Sequence, residues 1–291
     1  MTQDTLYHLA IDTNEDLPKR FGDIRFVAMG GSAGRMLAFA KRVQNELMNS
    51  PKANEYIDRI EMNELNELKN VSEKAGRYCM YKIGPVLSVN HGMGVSSLNI
   101  LLHELIKLLH YAKCRNVVMF RIGTSGGLGV EPGTVVISDS ACDELLDDYY
   151  KLNIMGERHW RPAIFDRSLV DELEQLSNEM KRNYHTVRGR TMCASDFYET
   201  QSRIDGAICN YGINEKIARL RHLVDNGIRN IEMEATAFAS MCRYTGIRCA
   251  IVCCTLLNRL DGDQVNVDKS TLESYQIRPQ ELILAYIRKH L

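Results

Sequence analysis

The chain has 291 residues, enough to bury a sizeable core in one large domain or two small ones. Its 36 Lys and Arg nearly balance 37 Asp and Glu, which argues against a partner recognised by bulk charge, such as nucleic acid or an anionic membrane. No apolar run reaches the ~18 residues of a membrane span, and the opening Met1-Thr2-Gln3-Asp4-Thr5 lacks the basic start and apolar stretch of a signal peptide, so a cytoplasmic protein is expected.

Apolar, β-branched runs alternate with longer stretches of helical period, the pattern of an α/β protein. The first strand is expected at 24–29. It opens into Gly30-Gly31-Ser32-Ala33-Gly34-Arg35 and then a helix. Glycines let the backbone approach a ligand, and helix-start N–H groups attract anions, so an anion site with Arg35 as counter-charge fits; a tight turn with a surface arginine is the plain alternative. Neither the P-loop spacing nor a G-x-G-x-x-G fingerprint is present. The polar stretch 49–70 reads as a surface insertion or helix. A strand at 86–90 leads to His91, read as a core or loop histidine, and Leu98, Leu101, Leu102, Leu105 and Leu109 share one face of a helix over 97–111.

A strand is expected at 117–122, its apolar run 117–120 closed by Arg121 and followed by Ile122-Gly123-Thr124-Ser125-Gly126-Gly127. A charge closing an apolar strand is costly unless it meets an anion or a buried carboxylate, and ligands in open α/β sheets sit beyond the carboxyl ends of strands. Further strands are expected at 134–138, 190–193, 230–233 and 249–255. Helices are expected over 166–182, 235–244 and 279–290, the last with Leu282, Leu284 and Ile287 on one face. No linker, repeat or low-complexity segment divides the chain, so a single domain over 1–291 is expected, preceded by an arm over 1–20.

Two further segments carry chemistry. Phe197-Tyr198-Glu199-Thr200-Gln201-Ser202-Arg203 sets an amide two residues before a guanidinium, next to an aromatic ring. Such a pair can donate to two carbonyls and accept from one ring N–H, the edge of a pyrimidine-2,4-dione. Glu232-Met233-Glu234 places two carboxylates where a strand meets a helix. They could serve glycoside chemistry, complement a helix dipole or accept from sugar hydroxyls, and spacing leaves these open. Nine cysteines without a C-x-x-C pair, and no H-E-x-x-H or G-x-S-x-G, give no metal, dithiol or serine-nucleophile signature; buried reduced thiols are the simplest account.

Together these segments resemble the eukaryotic uridine phosphorylases of the nucleoside phosphorylase-I family. The likeness runs from Leu6-Tyr7-His8 to Pro279. It is carried by Phe21-Gly22-Asp23, Gly30-Gly31-Ser32 with Arg35, 81–86, His91-Gly92-Met93-Gly94, 121–127, Phe197 to Ala207, 230–234 and 255–259. The resemblance implies a three-layer α/β/α domain around a mixed twisted sheet. It also implies reversible cleavage of uridine by phosphate to uracil and ribose 1-phosphate, in pyrimidine nucleoside salvage and catabolism. By position, Gly31, Arg35, Arg121 and Thr124 match phosphate ligands, and Arg77 matches an arginine lent by a second subunit. His8 matches the neighbour's ribose contact, with Thr124, Glu232, Met233 and Glu234 at the ribose. Ser125, Gly126, Phe197, Gln201, Arg203 and Arg259 match the base site. Arg203, Gln201, Glu234 and Arg121 would carry the catalysis. A homodimer with shared active sites is implied, phosphate is a co-substrate, and no metal or organic cofactor is expected.

Two departures from the family pattern flank these residues. Ala33-Gly34 stands where relatives often carry Pro and Ser, and Thr200 and Ser202 stand where glycines are frequent. The rival readings are a hydrolase-like or purine-specific member of the fold, which Arg35, Arg77, Arg121 and the Gln201–Arg203 pair oppose, and a silent paralogue that only binds nucleoside.

Overall fold

A computed structural model of the protein describes residues 3–49 and 68–291. The expectation of an insertion or helix over 49–70 therefore lies largely outside the described residues. The chain folds as two compact units, residues 1–120 with 284–291 and residues 121–283.

In the first unit, β1 (Thr5–Leu6) and β2 (Ile11–Asp12) form a two-stranded antiparallel hairpin. A short helix α1 (Leu17–Phe21) follows, its N-terminus closed by Asp16 accepting from the Lys19 N–H at 3.1 Å. The strand β3 (Phe26–Gly30) is buried throughout and pairs in parallel with β5 (Val86–Asn90), which pairs antiparallel with β4 (Met80–Ile83). Between them α2 (Ala33–Asn49) buries Met36, Phe39, Ala40, Val43 and Leu47. Helix α3 (Gly94–Tyr111) buries Leu98, Leu101, Leu102, Leu105, Leu108 and Leu109. At about 1.5–3 kcal/mol for each leucine taken from water, that stripe is a main anchor of the unit.

The N-terminal hairpin docks on α3 through charge. Glu104 accepts the backbone N–H groups of His8 and Leu9, and Asp4 pairs with Lys107 at 2.5 Å and accepts from the Tyr111 hydroxyl at 2.6 Å.

In the second unit the strands run in the order β11 (Ile228–Glu232), β10 (Thr186–Cys193), β7 (Val135–Cys142), β12 (Arg248–Asn258) and β6 (Val118–Gly127, from Arg121 onward). β10 is parallel to β7 and β11, and β12 is antiparallel to β7. β11 also pairs antiparallel with the end of β6, Asn230 facing Gly127 and Ile231 facing Gly126, so the five strands close on themselves. That closure sets the glycine-rich end of β6 beside the turn that carries Glu232 and Glu234. The helices of this unit are α4 (Arg167–Glu179), α5 (Ile213–Asp225), α6 (Ala235–Tyr244) and α7 (Lys269–His290), whose last residues lie in the first unit.

A separate hairpin, β8 (Tyr149–Ile154) and β9 (Glu157–Pro162), turns through Met155 and Gly156 at φ of 53° and 83°. Two positive φ angles in a two-residue loop match the twist of the flanking strands. All nine cysteines are free, and six are buried. Among the described residues no helix is long and apolar enough to cross a membrane.

The mixed sheets flanked by helices are the α/β class expected from the sequence, and the 86–90 strand has its expected bounds. The last helix differs. It begins at Lys269, ten residues before the expected start, because Pro279 sits inside it rather than at its first turn. The helix expected from Asp166 starts one residue later, since Asp166 is its cap and accepts from the Leu169 N–H at 2.8 Å.

Candidate active site

Arg121 lies in β6 and is buried with two carboxylates. Its Nη1 is 3.0 Å from Glu232 Oε2, its Nη2 is bonded to Glu234 Oε2, and Nη1 also donates to Cys253 Sγ at 3.1 Å. The charge that closes the apolar run 117–120 is thus held by a carboxylate pair, and the strand, expected to stop at 122, runs on past it to Gly127. Gly123 makes the fold of this side chain possible: a Cβ there would lie 2.7 Å from Arg121 Nη1 and 2.9 Å from Cys253 Sγ. Burial works against the Arg121 charge, yet Glu234 and Glu232 together raise its pKa above the ordinary value.

The two carboxylates have different attachments. Glu232 ends β11 and closes the start of α6, accepting the Glu234 N–H at 3.0 Å and the Ala235 N–H at 2.8 Å. Glu234 is the residue at the N-cap position of α6 but makes no side-chain capping bond. Its carboxylate is tied to Arg121 instead, and Met233 between them is half-buried.

Burial pushes the Glu232 carboxyl up to about 7, with Arg121 pulling it back and Glu234 adding to the rise. A carboxyl raised in the folded state stabilises the fold most below its unfolded pKa, and that contribution is lost as pH rises through the folded value. Glu232→Gln is therefore expected to flatten the pH dependence of stability between about 4.5 and 7. It should also cost about 1–3 kcal/mol, because an amide can accept only one of the two N–H bonds. Urea denaturation across that pH window checks both, and an unchanged slope would contradict the assignment.

A second cluster surrounds Gln201, which ends a one-turn 3₁₀ segment (Glu199–Gln201), and Arg203. Both are buried. Arg203 donates Nε and Nη2 to the two oxygens of Asp205 at 2.9 and 2.7 Å, and Nη2 also donates to the Asp263 carbonyl at 2.6 Å. Burial opposes its charge, but the two-point bond to Asp205 raises its pKa. Its guanidinium carbon lies 4.5 Å from the centre of the Phe197 ring, and Phe197 meets Tyr198 edge to face at 5.2 Å.

Arg259 is fully buried. Its Nη2 donates to the Gln201 carbonyl at 2.8 Å and its Nη1 to Gln201 Oε1 at 3.4 Å. Among the described residues, the Nη1 hydrogens of Arg203 and the Nε2 hydrogens of Gln201 make no bond to protein.

Gly126 joins the two clusters. Its backbone faces Ile231, and a Cβ on it would lie 2.9 Å from Arg259 Cγ. Thr124 and Gly126 are half-buried, whereas the Ser125 hydroxyl is turned into the sheet and accepts from Asn230 Nδ2 at 3.0 Å. Asn230 in turn accepts from Thr191, whose hydroxyl meets Ser138.

Ser202, one of the departures from the family pattern, sits between Gln201 and Arg203 at φ 56° and ψ 37°. A non-glycine residue there carries about 1–2 kcal/mol of backbone strain, and glycine returns part of that in unfolded-state entropy. Ser202→Gly is expected to stabilise the protein by about 0.5–1 kcal/mol in chemical denaturation, and a loss of stability would contradict it.

In the first unit, Gly31 follows β3, and a Cβ on it would meet the Gly92 carbonyl at 3.2 Å and Arg35 Nη2 at 3.3 Å. The Arg35 guanidinium is thus folded back over the glycine turn, with Nε donating to Ser32 Oγ at 3.2 Å. Arg77 follows the left-handed Gly76 and is exposed, next to buried Tyr78. His8, in the loop of the N-terminal hairpin, bonds Glu104 through Nδ1 at 2.6 Å.

The sequence reading missed Asp263, Lys216, Asp205 and Cys253, which hold the named side chains in place. Asp263 lies four residues after Arg259, and Asp205 two after Arg203, so both spacings were visible. Lys216 lies on α5 and had no such signal. Among the described residues no group of three or more His, Cys, Asp or Glu converges as a metal site would.

A carboxylate-clamped arginine within β6 and an amide–guanidinium pair with unbonded donors thus form two buried polar clusters in this unit. Residues 25–288 match the phosphorylase superfamily, and the chain belongs to it. Within that superfamily it is similar to uridine phosphorylases. Identity is 46% to uridine phosphorylase 2 of Homo sapiens, over all of this chain and 88% of that one. It is 45% to uridine phosphorylase 1 of Mus musculus, over all of this chain and 90% of that one. A solved uridine phosphorylase from Schistosoma mansoni in complex with thymidine superposes with a TM-score of 0.91 at 38% identity, covering all of this chain and 95% of its own. The nucleoside phosphorylase-like fold expected from the sequence is the fold of these relatives.

Proposed function

We propose that the protein is a uridine phosphorylase, a pentosyltransferase that reversibly converts uridine and phosphate to uracil and ribose 1-phosphate. The observation that carries this reading is the open edge of Gln201 and Arg203. Two sets of donors, Gln201 Nε2 and Arg203 Nη1, stand with the remaining acceptor capacity of Gln201 Oε1. A 2,4-dione offers the complement, two carbonyl oxygens and one ring N–H. The full-length similarity to uridine phosphorylases supports the same substrate.

In this reading the bond from C1′ to N1 of the base breaks with its electron pair going to the base. The resulting charge spreads onto the two carbonyl oxygens, where Gln201 and Arg203 donate. Preorganised donors of this kind act because they are already in place when charge appears. A phosphate oxygen forms the new bond to C1′, and the phosphate charge stabilises the positive character of the sugar in the transition state.

In this reading Arg121 and Thr124 bind phosphate, and it is the family resemblance that assigns the same ligand to Gly31, Arg35 and Arg77. Glu234, oriented by Arg121, accepts from the ribose hydroxyls alongside Met233, Thr124 and Glu232. Phe197 and the backbone of Ser125 and Gly126 pack on the base, and Arg259 orients Gln201. Exposed Arg77 and half-buried His8 complete the site of a second copy in a homodimer, in a cytoplasmic enzyme of pyrimidine nucleoside salvage and catabolism. Thymidine presents the same dione edge, and the thymidine complex of the Schistosoma mansoni relative favours its inclusion as a second substrate.

The test follows uridine loss by ultraviolet absorbance with and without phosphate and identifies the sugar. Phosphate-dependent release of uracil with ribose 1-phosphate is expected. Free ribose formed without phosphate would make the protein a hydrolase, and binding without turnover would make it a silent paralogue.

A further inference from the structure

Behind the base-reading pair lies a buried row of charge that the proposed reaction does not itself touch. Lys216, in the first turn of α5, is 2% exposed, and its Nζ lies 2.8 Å from Asp263 Oδ2. The other Asp263 oxygen accepts from Arg259 Nε at 3.0 Å, and Arg259 Nη2 lies 2.9 Å from it. Arg259 then donates to both oxygens of Gln201. Asp263 also acts on the other reader. Its carbonyl accepts from Arg203 Nη2 at 2.6 Å, and its Oδ2 accepts from the Ile204 N–H at 3.1 Å. A row of buried ions is costly to desolvate, and its best-attested use is to fix one arrangement among several.

We infer that Asp263, anchored by Lys216, is a positioning residue that sets the hydrogen-bond polarity of the base edge and so selects a 2,4-dione over a 4-amino-2-oxo pyrimidine. The inference rests on the uridine-cleaving reading of the site. A guanidinium carries donors and no acceptor, so the end of the Gln201 amide that faces Arg259 must be its oxygen. The NH₂ end is thereby committed to the open side as a donor. A cytosine ring needs the reverse at its N3 and 4-amino positions. To serve it, Gln201 would have to turn its NH₂ against Arg259, two donors face to face. Arg203, held by Asp205 and the Asp263 carbonyl, would meet an amino group with a second donor. Sites whose buried polar groups are stranded by the wrong substrate reject it strongly.

The experiment measures uracil and cytosine binding by calorimetry, together with kcat/KM for uridine and cytidine at saturating phosphate, in the full-length protein. Asp263→Asn and Arg259→Lys are expected to lower the uracil-over-cytosine preference about 10–100-fold, the range that one stranded buried donor accounts for. Lys216→Met should lower it less, and KM for phosphate should stay within about twofold, since no atom of this row is assigned to phosphate. Arg259→Lys keeps the charge opposite Asp263 but lacks the fork that reaches both Gln201 oxygens. If Asp263→Asn does not fold, Arg259→Lys and Lys216→Met decide the matter.

Equal weakening of both bases with the ratio unchanged would mean a purely structural role and would overturn the inference. So would a folded Arg259→Lys with the wild-type ratio. Should the wild type bind uracil without cleaving uridine, the functional reading fails, while the binding ratios in the variants still decide this one.

Discussion

Arg203→Ala is expected to lower kcat for uridine phosphorolysis about 10²–10³-fold, the range for removing one preorganised donor from a developing oxyanion. The geometry explains why so much should rest on one side chain. Asp205 takes Nε and one Nη2 hydrogen, and the Asp263 carbonyl takes Nη2 as well. The guanidinium is therefore locked with Nη1 left without a protein acceptor among the described residues, and no reorganisation is needed when the base leaves. The loss should fall on kcat and kcat/KM alike, as it does when an interaction is made mainly in the transition state. Steady-state kinetics with uridine varied at saturating phosphate checks this. A fall of less than tenfold, or one confined to KM for uridine, would contradict the role.

Arg121→Met is expected to destabilise the protein by about 3–5 kcal/mol, the cost of leaving buried charges without their partner. Glu232 and Glu234 would then face each other with no cation between them. The sign of the pH dependence follows. Without Arg121 the Glu232 carboxyl is pushed up further in the folded state, so the variant should be least stable at high pH and recover as pH falls and Glu232 takes up a proton. Denaturation of the variant and the wild type at about pH 5 and 8 measures the effect. A variant equally destabilised at both would place the cost in lost packing rather than charge.

The same residues show what sequence could and could not supply. The 86–90 strand was legible because it is apolar and bounded, and the Gln201–Arg203 pair because its two side chains are two residues apart. Arg121 was legible as an anomaly, a charge at the end of an apolar strand, and its partners turned out to be the two carboxylates flagged separately at 232 and 234. That these two anomalies cancel depends on β11 pairing with β6, a long-range closure that no local pattern encodes.

The row from Lys216 to Gln201 was missed for a related reason. A lysine in the first turn of an amphipathic helix reads as solvated, and only tertiary packing buries it. β1 and β2, at two residues each, are too short to show a period, and β9, Glu157-Arg158-His159-Trp160-Arg161-Pro162, carries no apolar alternation to mark it as the partner of β8. Pro279, read as a helix start, hid the first ten residues of α7.

The central claim is that a phosphate oxygen forms the new bond to C1′ while Gln201 and Arg203 receive the departing base. It is tested most directly by running the reaction with uridine in phosphate labelled with ¹⁸O at every oxygen and locating the label in the sugar product. The account predicts ribose 1-phosphate with ¹⁸O in the bridge between C1′ and phosphorus. Free ribose carrying solvent oxygen, with the phosphate pool unconsumed, would contradict it.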